Sequence, residues 1–327
     1  MFDVEPGLFL RFAYVATHGS HEWQNMELNP FVNGTRIYNQ PGCSANNSCY
    51  AQTITAANTG GNTSFNSLQV SADQRVSHGL TLLFNYTWSK ALNNMPWNQA
   101  ATSIGNNNSF VYPINVPNFK ALDHGPADFD HRNVLAVSYV YTIPKTMNDA
   151  PAVVRYIFND WSTTGLVQYR SGDPLTILSG QANNSGSGQQ RDRAVLTGVV
   201  YGGTACTTTV NCRNFLNPGG FTINAPGTYG NIAKGSFVGP HFVTWDASLA
   251  RKFVFTERLN LQFRAEYFNL MNHTNLGDPN TTCVASTPGA VCGGTFGRIT
   301  GTSPQNWSTT APQNDPRIAQ LSLKMVF

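Results

Sequence analysis

Residues 257–280, ERLNLQFRAEYFNLMNHTNLGDPN, and the closing run 316–327, PRIAQLSLKMVF, decide the fold. From Leu259 the odd positions read Leu259, Leu261, Phe263, Ala265, Tyr267, and the even ones read Asn260, Gln262, Arg264, Glu266. A period of two with apolar and polar faces this cleanly divided is the pattern of a β-strand. The last run repeats it, with Ala319, Leu321, Leu323, Met325 and Phe327 on one face and Gln320, Ser322 and Lys324 on the other. A soluble strand of this kind belongs to a sandwich. The length argues instead for a membrane strand, which needs about 9–11 tilted residues, apolar toward lipid, polar toward a wet lumen, and aromatic at the interfaces. Phe327 would then be the aromatic at one interface.

Working outward, six further strands are predicted near Leu8 to Ala16, Phe65 to Val76, Leu80 to Ser89, Arg132 to Ile143, Trp161 to Arg170 and Phe242 to Phe253. The clearest sets Leu80, Leu82, Phe84, Tyr86 and Trp88 against Thr81, Asn85, Thr87 and Ser89. The connections alternate: short at Ser77-His78-Gly79 and at Val254 to Arg258, some seventeen residues at 144–160, and long at 17–64, 90–131, 171–241 and 271–316. Outer-membrane barrels have short periplasmic turns and long extracellular loops. Arg11, Arg75, Arg132, Arg170, Asp246, Arg264, Glu266 and Lys324 fall on the polar face. Arg251 falls with Trp245 and Leu249 on the apolar one, where its long side chain is expected to snorkel to the nearby interface.

The run FRAEYFNLMNHTNLGDPN, then FGRIT at 296–300 and DPRIAQLSLKMVF at 315–327, resembles the carboxyl end of the barrel of Oar-like TonB-dependent outer-membrane receptors. The upstream segments FNSLQVSADQRVSHGLTLLFNYTWSKALNN (65–94) and FDHRNVLAVSYVYTIP (129–144) extend the resemblance over nearly the whole chain. It implies an all-β fold: about eight antiparallel transmembrane strands of a larger, roughly 22-stranded barrel, with long extracellular loops. On this reading residues 1–327 are the C-terminal segment of the barrel, and the plug and N-terminal domains lie outside the sequence. The implied activity is TonB-dependent uptake of a bulky ligand such as a siderophore or an oligosaccharide. The implied partners are outer-membrane lipid, the rest of the barrel and its plug, TonB through the missing N-terminal part, and the barrel-assembly machinery at the C-terminal strand ending in Phe327. The expected location is the bacterial outer membrane. A segment of this kind would not transport alone, because open strand edges in lipid leave backbone groups unsatisfied at several kcal/mol each.

Composition fits this reading. Charged residues are 11% of the chain and aromatics 12%, against about a quarter charged in soluble domains. The net charge of +3 comes from 20 basic and 17 acidic residues with no basic run, which argues against nucleic acid as a partner. No stretch of about 18 apolar residues forms a membrane helix. The N-terminal MFDVEPGLFLRFAYVATHG lacks the basic start and uninterrupted apolar run of a secretory leader, so further sequence is expected to precede Met1. Six cysteines form three local pairs, Cys43 with Cys49, Cys206 with Cys212 and Cys283 with Cys292, all in long segments. Their spacings exceed those of zinc knuckles, so disulfides in an oxidising compartment are expected.

Candidate sites are sparse. DHGPADFDHR offers Asp123, His124, Asp128, Asp130 and His131 as possible metal ligands, against a plain reading as a polar loop entering a strand, with Asp130 and Arg132 pairing at the rim. No metal and no cofactor are expected. NNSGSGQQRDR places Arg191 and Arg193 where an anionic ligand could bind, and Trp97 and Trp307 could stack on a sugar or siderophore; flexible loop packing is the competing role. His273 and Asp278 in NHTNLGDP lack a neighbouring nucleophile, and no catalytic motif is present, so no enzyme is expected. Two other classes fit less of the pattern: a self-contained eight-stranded outer-membrane barrel for adhesion or surface binding, and a secreted β-sandwich that binds or hydrolyses carbohydrate.

Overall fold

The structure is a computed structural model that describes residues 2–5, 7–29, 31–32, 35–38, 54–77, 79–95, 123–145, 148–180, 184, 192–202, 213–256, 259–283, 287–299 and 316–327. Its main body is a ten-stranded antiparallel sheet. Nine strands follow one another in chain order: β1 (Phe2–Glu5), β2 (Leu8–Glu27), β3 (Thr55–Ser77), β4 (Leu80–Asn93), β5 (Asn133–Thr142), β6 (Trp161–Arg170), β7 (Phe242–Val254), β8 (Asn260–Phe268) and β9 (Ile318–Val326). The tenth is the two-residue piece Gly125–Pro126, paired to the end of β4. Among the described residues the sheet is open, with β1 at one edge and β9 at the other.

All eight predicted strands are present. β1, too short for its alternation to register, adds a ninth through a turn at Gly7. β2 and β3 are 20 and 23 residues long and pair from Leu8↔Gln74 to Glu27↔Thr55, so the first long loop is shorter than predicted. Above Ala16 the hairpin is mostly polar and its alternation disappears while backbone pairing continues, although Gln24 and Met26 are buried there.

Residues opposite each other in a ladder share a face, so the register sorts the side chains. One face carries Phe12, Val70, Tyr86 and Leu135 in successive pairs, and farther along Val167, Trp245, then Leu249, Ala265 and Leu321. This apolar surface runs across the sheet with no second sheet covering it among the described residues; Phe12, Tyr14, Leu68, Trp88, Leu321, Leu323 and Met325 lie exposed. The other face carries Arg11, Ser71 and Asn85, then Gln168 and Thr244, and Arg264 opposite Ser322. Apolar outside and polar inside is the division of a barrel wall.

The turns sort to two ends. Ser77↔Leu80, Thr142↔Ser162, Val254↔Asn260 and Asn260↔Val326 put the short connections and Phe327 together at one end. Gly79 makes the tightest of these turns at φ +82, and a Cβ there would stand 2.7 Å from the Thr142 carbonyl oxygen. The 143–160 connection contains an unforeseen helix, α1 (Ala152–Phe158), begun at Pro151. Seven residues are too few for helical periodicity to separate from a short apolar run.

Arg251 is the other correction at this end. It does sit on the apolar face, opposite Trp161 and Phe263, but it is 4% exposed rather than reaching out to water. Its guanidinium donates to the carbonyl oxygens of Ile157, at 2.7 Å, and Tyr156, and lies 4.6 Å from the centre of the Phe253 ring. A cation at a helix C-terminus answers both the free carbonyls and the helix dipole.

Candidate functional site

The long connections fold at the opposite end into a small module with its own core. Ile177, Ala194, Leu216, Phe221, Ile223, Ile232 and Phe296 are almost completely buried, with Phe221 edge-on to Phe296 at 5.2 Å. Two-residue ladders tie distant loops together: Pro174–Leu175 with Phe237–Val238, Val195–Leu196 with Phe221–Thr222, and Arg213–Asn214 with Arg298–Ile299. The Cys283–Cys292 disulfide lies in this core. Cys43, Cys49, Cys206 and Cys212 lie outside the described residues.

Polar contacts fasten the module to the strand ends. Arg193 is buried in a 2.8 Å ion pair with Asp123, and the Lys234 ammonium donates to Asn93 Oδ1. The Val243 amide donates to Asn275 Oδ1 at 2.8 Å. Asn269 closes β8 in the left-handed region, at φ 48, a conformation its short amide tolerates. Its side chain donates to the His273 carbonyl at 2.8 Å and accepts from the His273 amide at 3.0 Å.

The chemically richest place is the rim where β5, β6 and β7 meet the module. His131 Nδ1 lies 3.2 Å from Asp173 Oδ1 and equally near the Ser171 carbonyl oxygen. Burial first, then the neighbouring Arg170 cation, lowers the His131 pKa, with Asp173 and Asp130 pulling the other way. Asp173 also hydrogen-bonds Asp278, whose pKa rises to about 7 through desolvation and then the Asp173 charge. Asp278 is itself solvent-exposed, so this desolvation is only partial. The Arg170 guanidinium stands 5.7 Å over the Phe242 ring, and a shallow groove below it is lined by Val134, Ala136, Gln168, Arg170 and Phe242 on the polar face. His241 stacks between Tyr169, at 5.9 Å, and His273, at 5.7 Å.

The five candidates of DHGPADFDHR are dispersed. Asp123 turns to Arg193, and Asp130 accepts from the Ala91 amide at 2.6 Å and pairs with Arg132 at 3.1 Å. His131 turns to Asp173, His124 is exposed and Asp128 half-buried. Among the described residues no three His, Cys, Asp or Glu converge to hold a metal. Arg193 sits inside the module; Arg191, Trp97 and Trp307 lie outside the described residues. The sequence pointed to Asp278, His273 and His131 but not to their partners: Asp173 and His241 come from other loops and carry no motif, and Arg170, at the end of β6, was read only as a polar-face residue.

The family model described as outer membrane beta barrel domain matches residues 3–320. No curated protein matches. Among solved structures, the outer membrane transporter YddB from Escherichia coli is similar at 13% identity with a TM-score of 0.44, over 99% of this chain and 31% of that one. The chain thus spans less than a third of the length of that transporter.

Proposed function

Because the chain belongs to the outer-membrane β-barrel domain family, and so resides in the outer membrane, we propose that it is the C-terminal part of the wall and loops of an Oar-like TonB-dependent receptor. The receptor takes up a bulky ligand such as a siderophore or an oligosaccharide, energised through TonB, and does no covalent chemistry. One observation carries this reading: a sheet with an apolar outer face and a polar inner face ends on an open edge strand, β9, that needs another strand beside it. Backbone groups left unpaired in lipid cost several kcal/mol each, so β1 and β9 call for the remaining strands of a roughly 22-stranded wall. The inner face fits a wet lumen and a plug, and the loop module fits the mouth where ligand enters. The groove beside Arg170 and Gln168 offers a cation and an amide to hydroxyl or anionic groups.

The test is to detect the native product in outer-membrane preparations with an antibody against the loop module, in cells with and without TonB. A product far larger than 35.7 kDa, whose ligand uptake is lost without TonB, is expected. A heat-modifiable product of 35.7 kDa would overturn the reading in favour of a small barrel.

A further inference from the structure

At the short-turn end, α1 lies against the outside of the sheet. Its last carbonyls are held by Arg251, which stands opposite Trp161 and Phe263 on the apolar face. Tyr156 packs on Phe253 at 5.9 Å, and its hydroxyl donates to the Val254 carbonyl at 3.0 Å. Trp161 Nε1 donates to the Ile157 carbonyl at 3.0 Å. The helix is therefore fixed in place by four neighbours, Arg251, Phe253, Val254 and Trp161, yet none of its residues is buried. AVVRYIF contains one charged residue, and Val153, Ile157 and Phe158 stand exposed, with Phe255 beside Tyr156 at 6.4 Å. In water such a surface would be left without a partner.

We propose that α1 is an interfacial helix that lies in the periplasmic leaflet of the outer membrane, at the boundary between phospholipid headgroups and acyl chains, and roofs Arg251 against the lipid. The occupant follows from continuity: α1 sits on the face whose strands already front lipid, at the end carrying the short turns, which in outer-membrane barrels is periplasmic. The charges flanking it fit a phosphate layer. Arg155 is exposed on the helix, and Lys145 pairs with Asp160 at 3.2 Å where both remain accessible. Short helices with an apolar side and basic flanks settle about 5–10 Å into this boundary. Phe253, Phe255, Tyr156 and Trp161 then form one segment of the aromatic girdle. The assignment needs only the lipid-facing side of the sheet, whatever the barrel imports.

The experiment places the photo-crosslinker p-benzoylphenylalanine at Phe158, and separately at Asp149 in the preceding turn, in the full protein in cells grown with radioactive phosphate. Irradiation at position 158 is expected to yield a protein band carrying labelled phospholipid, and at position 149 none above background. Crosslinking from 158 to a protein would overturn the proposal and assign the patch to a protein partner. No adduct from 158, or equal lipid labelling from both positions, would overturn it as well. Since 158 is exposed and the replacement keeps an aromatic ring, folding is checked by heat-modifiable migration of each variant.

Discussion

Arg251 illustrates how a residue that breaks a pattern can be explained by what lies over it. A guanidinium on the lipid-facing side is tolerated because two carbonyls and three aromatic rings surround it. Arg251→Met keeps the packing and leaves the Tyr156 and Ile157 carbonyls without their donor, and should cost about 2–4 kcal/mol, read from the unfolding midpoint in detergent micelles. Protease should then nick the 143–160 connection first. Asp278 gives a pH prediction. Its folded pKa, about 7, lies above its ordinary 3.8, so the folded state holds the proton more tightly and stability falls as pH rises between those values. Asp278→Asn should flatten that slope, measured as amide exchange of the loop module against pH; an unchanged slope would place the titration elsewhere.

At the scale of elements, β9 carries the sharpest contrast. Leu323 and Ser322 are adjacent, both exposed in the open sheet, and on opposite faces. Leu323→Arg puts a charge near the middle of the lipid-facing strand and should cost about 2–4 kcal/mol, whereas Ser322→Arg points into the lumen and should cost little. The amount of each variant recovered in the outer membrane checks this, and equal recovery would contradict the assignment of faces. On β6, Gly165 is covered by the ring of its ladder partner Tyr139, whose atoms would stand 2.5 Å from an added Cβ. Strand alternation made such faces readable in advance. Helix α1 was not readable, because its seven residues owe their helicity to Arg251 and the strand beneath rather than to an intrinsic pattern.

For the whole molecule, sheet and loop module are two cores joined by polar contacts. Phe221→Ala should cost the module about 3–5 kcal/mol, with amide exchange accelerating at Ile177 and Ile223 while Leu135 in the sheet is unchanged. If both regions loosen together, they form one cooperative unit. The amino-acid sequence by itself determined the eight long strands, their two faces and the division into short and long connections, because each strand solves the same local problem of presenting apolar atoms to lipid and polar atoms to water. Only the tertiary structure decided which loop groups meet. Asp173 joins Asp278, Arg193 joins Asp123, and His241 joins His273 through contacts between segments far apart in the chain. Such pairs leave no periodic trace, since their geometry depends on where whole loops come to rest over the strand ends.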